Sequence, residues 1–412
     1  MVPLPGGGMR PSTAAGCYPS EVAAVHKPSL RSQRDARSPR PRPGELSPAV
    51  ERAFGRVRSF RVEAMNADAS SRSYARLVFD DDGTPGSAVA MILPEDPYSS
   101  DELTSPQDPT PTEVPFLAVQ RFLARRGVRV PAVLDAAVAD GLILLEDLGR
   151  RSFRDRLRAL SPADRVEAYR DAVSFLADLH RRAAPPEDPV ASLPTAAAGA
   201  PLPHRRRFDA ALLRAELDEF HRFGVSAAWG SPGADADRRL SQALDALAVA
   251  VAHLPTGFVH RDFSSRNLMC LDDGGLAAID FQDALIGPRP YDLAALLCDS
   301  YATLDERHLD SLIRQYRQAL GIRGDAGDAF DAGFWAVVAQ RKLKDAGRFV
   351  RIHRERGDPR FLRWYPPSLA HVARALRRWS PGGRLAEVLA EVVPGFPHAL
   401  TAPATEVGPG RE

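Results

Sequence analysis

The chain has 412 residues, of which 44% are apolar and 26% charged, and its net charge at pH 7 is +1. This length is enough for one large or two moderate hydrophobic cores, so we expect a soluble globular protein. The near-zero net charge argues against a nucleic-acid partner, and without a run of 18 apolar residues we expect no membrane partner.

Cysteine and lysine are both scarce. Cys17, Cys270 and Cys298 lie far apart, and their spacing matches neither a disulfide framework nor a zinc site. That pattern is typical of a reducing compartment, so we expect a cytoplasmic protein. Of the 54 basic residues only Lys27, Lys342 and Lys344 are lysines, and all the others are arginines.

Residues 1–47 are rich in Pro, Gly, Ser and Arg and show no apolar periodicity. We expect this basic segment to be disordered. It has no apolar core like that of a secretory signal, and its many prolines argue against an amphipathic transit helix. An overlong assignment of the start codon and a solvated tail both remain open as explanations.

Residues 48–148 are predicted to form a small lobe rich in β-strands. After a short helix from Ser47, period-2 or apolar patterns predict strands at 60–65, 74–79, 87–93, near Val133 and at 142–145. The small polar loop between the first two strands contains Ser70, Ser71 and Arg72, whose hydroxyl, backbone N–H and guanidinium groups suit contact with a phosphate.

Three further segments complete this lobe. Residues 94–114 are rich in Pro, Asp, Ser and Thr and are predicted to be a mobile excursion. Residues 116–125 have helical spacing. Glu146-Asp147-Leu148-Gly149 follows the last strand, and there we expect the backbone near Glu146 and Leu148 to contact a nucleotide base.

Residues 149–396 are predicted to form a larger, mostly helical lobe, followed by a flexible tail at 397–412. Apolar spacing predicts helices at 166–182, 208–223, 235–253, 291–301, 304–320, 330–356, 367–379 and 385–393. His180, at the end of the first of these, is interpreted as a structural histidine.

The stretch 257–283 carries the strongest chemical signal. His260-Arg261-Asp262 is followed after four residues by Asn267, the spacing of a kinase catalytic loop. Asp272-Asp273-Gly274-Gly275 separates two short apolar runs, which predicts a hairpin. Such a hairpin brings Asn267 and Asp280 to the same end.

These residue types suit phosphoryl transfer. A carboxylate such as Asp262 can orient an acceptor hydroxyl and take its proton, and the oxygen atoms of Asn267 and Asp280 suit Mg²⁺. The alternative is a chance tripeptide with solvated carboxylates, but four elements in this order and spacing argue against it.

With these motifs the sequence resembles the aminoglycoside phosphotransferase and choline kinase superfamily. Within that superfamily it is most similar to the bacterial anomeric kinases of N-acetylmuramate and N-acetylglucosamine. The resemblance extends from about residue 50 to about residue 380. It rests on Asp68-Ala69-Ser70 with Arg72, Tyr74 and Arg76; 144–149; His260-Arg261-Asp262-Phe263 with 266–269; 279–284; Gly287-Pro288 with Tyr291-Asp292-Leu293; and Gln340-Arg341 with Leu343-Lys344.

The resemblance implies an α+β, protein-kinase-like fold with a small β-rich N-lobe and a larger helical C-lobe. It implies a cytoplasmic, monomeric enzyme of cell-wall recycling that uses ATP and Mg²⁺ to phosphorylate the C1 hydroxyl of a small-molecule amino sugar. Carried over by position, the implied roles are a catalytic base at Asp262, metal ligands at Asn267 and Asp280, a loop scaffold at His260 and Arg261, and a brace of that loop at Asp292.

One departure from most kinases of this shape is informative. They place a lysine on the third strand of the small lobe to neutralise the ATP phosphates, and here 28–341 contains none. The anomeric-kinase branch is similar in lacking it. We expect Arg72 or Arg76 to supply the missing charge. Ala67, where that branch usually has glycine, is a second departure.

The acceptor site is predicted less directly. Gln282, Asp283, Tyr291, Asp299, Arg341 and Lys344 are candidates for contacting the sugar, although Asp299 could equally cap a helix, and Lys342 is expected on an exposed face. The basic stretch 340–364 favours an anionic acceptor such as N-acetylmuramate. Alternatives left open are a kinase of an aminoglycoside, choline or homoserine, and a non-catalytic nucleotide-binding regulator.

Overall fold

The small lobe is an antiparallel sheet with one helix packed on its outer face. The structure, a computed structural model, describes residues 43–55, 59–65, 72–80, 85–98, 100, 102–185, 199–302 and 304–396. The strands of this sheet are β1 (Phe60–Ala64), β2 (Ser73–Phe79), β3 (Ser87–Ile92), β4 (Val133–Ala137) and β5 (Leu142–Glu146). Their spatial order is β1-β2-β3-β5-β4, and every neighbouring pair is antiparallel.

Strand periodicity gives this sheet two different faces. Leu77, Ala88 and Leu144 point to one side and pack with residues 46–50 of the first helix, α1 (Pro43–Phe54), in one apolar core. Val89 and Leu145 are register partners and line a cleft. Because successive strand residues face opposite sides, alternation assigns one set to the core and the other to the cleft.

The remainder of the described chain is mostly helical. Its helices are α2 (Pro115–Arg125), α3 (Phe153–Ala159), α4 (Pro162–Ala183), α5 (Leu202–Arg205), α6 (Ala210–Glu219), α7 (Ala234–Ala252), α8 (Tyr291–Leu297), α9 (Glu306–Ala319), α10 (Asp325–Arg356), α11 (Tyr365–Arg378) and α12 (Gly383–Val392). Short strands are β6 (Thr256–Val259), β7 (Leu268–Cys270), β8 (Leu276–Ala278) and β9 (Leu285–Pro288), paired as β6 with β9 and β7 with β8.

Helix α10 is the central element of this lobe. It is 32 residues long and is buried on several sides, with α11, α8 and the π-helical turn Phe220–Ala227 packed against it. At Gly347 an added Cβ would lie 2.6 Å from the backbone nitrogen of Phe220. Only glycine allows the two backbones to approach so closely.

The predicted fold class is confirmed, with differences at the boundaries of several elements. Helix α1 begins at Pro43, so residues 43–47 of the segment expected to be disordered are helical. Helix α3 was not predicted. It begins with a capping box formed by Ser152 and Asp155, a short polar signal without apolar periodicity. Helix α8 ends at Leu297, before the predicted residue 301.

Several predictions fall outside the described residues: disorder at 1–42, the polar loop at 66–71 and the tail at 397–412. Across the parts of the chain that are described, no helix combines the length and apolarity needed to cross a bilayer.

Candidate active site

A cleft of about 360 Å³ lies between the sheet and the helical lobe. One end is apolar, walled by Val89 and Leu145 from the sheet and by Met269 and Ile279 from the hairpin region. The other end is polar and holds Asp262, Asn267 and Asp280. This division suits a ligand with an apolar ring at one end and charged groups at the other.

Asp262 is held from two sides at the polar end. Its Oδ1 accepts a hydrogen bond from Arg341 Nη2 at 3.2 Å, and its Oδ2 accepts one from Asn267 Nδ2 at 2.9 Å. The Asp262 side chain is still 45% exposed, towards the cleft. A carboxylate that is fixed in position yet accessible can align a hydroxyl group and accept its proton.

The backbone around Asp262 is strained, and Asp292 holds it in place. Among the described residues other than glycine, only Arg261 (φ 79°) and Asp280 (φ 64°) adopt the left-handed region, which costs about 1–3 kcal/mol per residue. Asp292, fully buried, accepts hydrogen bonds from the backbone N–H groups of His260 at 2.6 Å and Arg261 at 2.9 Å.

His180 completes this brace. Its Nε2 lies 2.8 Å from Asp292 Oδ2 and its Nδ1 lies 2.5 Å from Tyr316 Oη. Burial favours a protonated Asp292, but the hydrogen bond and charge interaction with His180 and the contacts with His260 together outweigh burial, so the pKa of Asp292 is lowered. Asp292 therefore contacts the backbone of the catalytic loop directly, and His180 is linked to that loop through Asp292.

The ring of His260 is buried and packs edge-on against Phe263 and Phe281. Burial lowers its pKa, which keeps the imidazole neutral. His260 therefore supports the loop through packing and its backbone N–H, while Asp262 is the side chain that faces the cleft.

Asn267 and Asp280 come together as the predicted hairpin requires. Strands β7 and β8 pair Leu268 with Ala278, and Asn267 Nδ2 lies 3.4 Å from Asp280 Oδ2. Burial, followed by the nearby Asp262 carboxylate, raises the pKa of Asp280 to about 6. Two close carboxylates and an amide oxygen are hard donors whose repulsion a divalent cation would offset, so these residues fit Mg²⁺.

Asn267 and Asp280 together offer few ligands for a metal ion. Among the described residues, no group of three or more His, Cys, Asp or Glu side chains is arranged to hold a metal ion. Mg²⁺ in phosphotransferases is commonly held by one or two protein groups together with phosphate oxygens and water, so a two-residue site is compatible with the ion.

The two arginines proposed to replace the missing lysine differ in their surroundings. Arg76 Nε donates to Asp147 Oδ2 at 2.6 Å, and Arg76 Nη2 donates to the Gly149 carbonyl at 2.7 Å. Arg76 is therefore part of a buried ion pair at the edge of the cleft. Arg72 is also buried, and its charge lowers the pKa of Asp280 by less than burial and Asp262 raise it, but of the two arginines it is Arg76 that is among the described residues lining the cleft. Ser70 and Ser71 lie outside the described residues.

The segment joining the lobes also lines the cleft. Glu146 pairs with Arg129 and accepts a hydrogen bond from the Ala132 backbone N–H at 3.1 Å, while Leu148 adds an apolar contact surface. The hydrogen-bonded ion pair with Arg129 lowers the pKa of Glu146, and its effect is larger than the opposing effect of burial. The Glu146 side chain thus connects β5 to the segment that precedes β4, and Leu148 is the better candidate for touching a base.

The predicted sugar-contacting residues divide into two groups. Gln282 and Asp283 line the cleft, and Gln282 Nε2 donates to Asp280 Oδ1 and Asp283 Oδ2, both at 3.0 Å. Asp299 also lines it, but its carboxylate accepts from the backbone N–H groups of Ser265 at 2.9 Å and Tyr301 at 2.8 Å. Asp299 is therefore chiefly a brace for the far end of the catalytic loop.

Tyr291 does not occupy the predicted position. Its side chain is fully buried, with Phe208 on one side and the Arg341 guanidinium 5.1 Å from its ring centre. Tyr291 does not belong to the set of described residues that line the cleft. Tyr291 supports Arg341 from below, and the expectation that it contacts the sugar directly is corrected.

Three basic residues of α10 are paired with carboxylates, which bears on the anionic acceptor expected from the basic stretch 340–364. Lys344 Nζ lies 2.9 Å from Glu102 Oε2 and 3.0 Å from Glu216 Oε1. Lys342, expected on an exposed face, is buried and donates to Asp345 at 2.7 Å. Arg348 pairs with Glu102. Because carboxylates already neutralise these cations, basic composition alone is a weak argument for an anionic acceptor.

Several lining residues were missed by sequence reasoning. Glu102 comes from the segment expected to be a mobile excursion, and Tyr301, Phe349 and Phe361 form an aromatic wall beside it, with ring centres 6.2–6.3 Å apart. No periodicity marks Glu102. Phe349 lies on α10, which is buried on several sides, so its spacing does not distinguish cleft from core. Tyr301 lies in a turn after α8 and Phe361 in a short 3-10 helix, where no helical periodicity marks them.

Comparison with solved structures gives only weak overall similarity. An ADP-bound aminoglycoside phosphotransferase is 14% identical, with 82% of this chain and 99% of that chain covered and a TM-score of 0.47. Choline kinase from Cryptosporidium parvum is 10% identical, with 78% and 89% covered and a TM-score of 0.49.

Sequence comparison is more informative. This chain is 31% identical to the N-acetylmuramate/N-acetylglucosamine kinase of Pseudomonas putida over 351 residues, 84% of this chain and 92% of the relative. It is also 31% identical to the protein of that name from Neisseria meningitidis, over 82% of this chain and 92% of the relative. The family described as "Phosphotransferase enzyme family" matches residues 61–332. The chain therefore belongs to the phosphotransferase enzyme family and is a small-molecule kinase.

Proposed function

We propose that this protein is an ATP-dependent kinase that phosphorylates the anomeric C1 hydroxyl of an amino sugar, N-acetylmuramate or N-acetylglucosamine or both. The observation that carries the proposal is the fixed, cleft-facing Asp262 beside Asn267 and Asp280, in a chain similar over most of its length to kinases named for these two sugars.

The apolar end of the cleft suits adenine. Val89, Leu145, Met269 and Ile279 offer two apolar walls, and the segment at Leu148 lies at its edge. The triphosphate would then extend towards Asn267 and Asp280, with Arg72 as the cation that replaces the usual lysine. Asn267 and Asp280 would hold Mg²⁺, which would offset the negative charge of the phosphates.

The catalytic loop supplies the remaining chemistry. Asp262 accepts the proton of the attacking hydroxyl, and Arg341 and Asn267 keep the carboxylate aimed at the acceptor. An anomeric hydroxyl is somewhat more acidic than an ordinary alcohol, so positioning together with a weak carboxylate base suffices.

The acceptor would occupy the polar end, between Gln282 and Asp283 on one side and the aromatic wall of Tyr301, Phe349 and Phe361 on the other. Aromatic faces suit the apolar face of a sugar ring, and carboxylate and amide groups suit its hydroxyls. We further propose that the enzyme acts as a cytoplasmic monomer in the recycling of cell-wall amino sugars.

Phosphorus NMR of the protein with MgATP tests this function directly. Separate samples contain N-acetylmuramate, N-acetylglucosamine, choline or kanamycin, and Asp262→Asn is the matched control because it removes the charge and keeps the size. We expect a sugar-1-phosphate signal with either amino sugar and none with the variant. Transfer only to choline or kanamycin, or bound nucleotide without transfer to any acceptor, would contradict the proposal.

A further inference from the structure

Glu102 lies on a loop, residues 102–114, that crosses from the small lobe to the helical lobe and that we call the strap. Its carboxylate sits among cations at the acceptor end of the cleft. Glu102 Oε2 is 2.9 Å from Lys344 Nζ and 3.8 Å from Arg261 Nη2, and Glu102 Oε1 accepts a hydrogen bond from Arg348. The small lobe therefore places a carboxylate in a cation site of the large lobe.

Glu102 is ionised in this site. Burial opposes its charge, but Arg348, Lys344 and Arg261 together outweigh burial and hold its pKa well below the usual range. A second carboxylate, Glu216, shares Lys344 and Arg261, at 3.0 Å and 2.9 Å. Two carboxylates thus face three cations, and the group keeps one net positive charge.

The two carboxylates differ in how easily a ligand can reach them. Glu216 is 1% exposed, is not among the described residues that line the cleft, and accepts a further hydrogen bond from Gln340. Glu102 is 15% exposed and Arg348 is 26% exposed, and both line the cleft. The Glu102–Arg348 pair is therefore the part of the group that an acceptor can contact.

The strap has other attachments that do not involve the Glu102 carboxylate. The Leu103 carbonyl accepts from Arg261 Nη2 at 2.8 Å, Ser105 donates to Asp209, and Asp108 accepts from the Arg207 backbone N–H at 3.1 Å. These contacts replace the mobile excursion expected from composition. They also allow the Glu102 side chain to turn away while the rest of the strap stays in place.

We propose that Glu102 is a specificity-determining residue whose carboxylate occupies the place that the carboxylate of an acidic sugar acceptor takes when it binds. The inference rests on the proposed function, because it concerns the acceptor of that reaction. Neutral N-acetylglucosamine binds with Glu102 in place. N-acetylmuramate carries an additional lactyl ether with a carboxylate, and this group displaces Glu102 and pairs with Arg348 and Lys344.

Charge balance favours this exchange over simple loss of the Glu102 contact. Removing one partner of a buried ion pair leaves an uncompensated charge, which is strongly unfavourable. Exchanging one carboxylate for another keeps two negative groups facing the three cations. The same site can thus accept a neutral and an acidic sugar, with Glu102 supplying the negative charge that the neutral sugar lacks.

The test is to compare kcat/KM for the two sugars in two variants with opposite expected effects. Glu102→Gln removes the internal competitor, and we expect the ratio of N-acetylmuramate to N-acetylglucosamine to rise about tenfold. Arg348→Gln removes a cation that binds the acidic group, and we expect the ratio to fall about tenfold. Glu113→Gln is the control, because Glu113 is on the same strap but pairs with Arg121 outside the cleft.

Each outcome bears on a different conclusion. If Glu102→Gln lowers kcat/KM equally for both sugars, or leaves the ratio unchanged, Glu102 only fastens the strap and the inference is overturned. If Glu102→Gln fails to fold, as judged by circular dichroism, the ratio in Arg348→Gln decides, and an unchanged ratio overturns the inference. If the unmodified protein phosphorylates neither sugar, the proposed function fails first and this inference with it.

Discussion

Asp292→Asn should reduce activity far more than the size of the change suggests. Asp292 is fully buried and its two carboxylate oxygens serve three donors: the backbone N–H groups of His260 and Arg261, and the His180 ring. An amide has only one acceptor oxygen, and its NH₂ group would face an N–H donor. The substitution therefore leaves at least one buried backbone donor without an acceptor.

The expected losses of stability and of kcat follow from these contacts. A hydrogen bond to a charged group contributes about 1.5–3 kcal/mol, and an unsatisfied buried donor costs a further 1–3 kcal/mol or so. We expect the free energy of unfolding to fall by about 2–4 kcal/mol. Arg261, at φ 79°, would no longer be held in its strained conformation, and it directly precedes Asp262. A displacement of about 1 Å at the base lowers kcat roughly 100-fold.

The stability difference should also depend on pH. The pKa of Asp292 is lowered in the folded protein, so its contribution is fully present above the unfolded value of about 3.9 and is lost as the pH falls through the folded pKa. The difference between the unmodified protein and Asp292→Asn should therefore be constant near neutral pH and shrink in acid.

Urea denaturation at pH 7 and at pH 3, which is below the unfolded pKa of about 3.9, with kcat at pH 7 from a coupled ADP-release assay, measures both effects. Asp237→Asn is the matched control, because Asp237 Oδ1 lies 2.8 Å from His221 Nε2 but is half exposed. It should change stability by less than about 1 kcal/mol and leave kcat unchanged. If Asp292→Asn keeps more than a third of the activity and its urea midpoint, the carboxylate does not hold the loop.

Three further predictions concern the small lobe and the packing of α10. Arg76→Ala leaves the buried Asp147 carboxylate without its ion-pair partner and should lower the free energy of unfolding by about 3–5 kcal/mol. The double variant, Arg76→Ala with Asp147→Ala, should recover part of that loss. Additive effects of the two substitutions in urea denaturation would show that the pair is unimportant. Arg72→Ala should raise the KM for ATP about tenfold and leave the KM for the acceptor unchanged; if neither it nor Arg76→Ala alters the ATP kinetics, neither arginine replaces the missing lysine. Gly347→Ala places a Cβ 2.6 Å from backbone atoms of the π-helical turn and should destabilise the folded protein by about 1–3 kcal/mol or more. Gly383→Ala is the control, because its Cβ would have nothing within 4 Å, and it should be neutral or stabilise the protein by up to about 1 kcal/mol. Equal melting temperatures for the two variants would contradict the close approach at Gly347.

The sequence by itself determined the parts of this protein that depend on local spacing. His260-Arg261-Asp262 and Asn267 share one loop, and the turn at 272–275 joins two short strands, so the approach of Asn267 to Asp280 follows from hairpin geometry. The order of small sheet and helical lobe follows from periods of two and 3.6 residues. These features involve residues within about twenty positions of one another, where chain geometry leaves few arrangements.

Only the tertiary structure decided which charges meet. Glu102 and Lys344 are 242 positions apart, Arg76 and Asp147 are 71 apart, and no periodicity marks these partners. Composition therefore suggested a mobile segment at 94–114 and, from the basic stretch 340–364, an anionic acceptor, whereas folding pairs Glu102 of the first segment with Lys344 and Arg348 of the second. A buried charge is stable only with a partner, and in this chain of many arginines and carboxylates that partner is chosen by packing between the lobes.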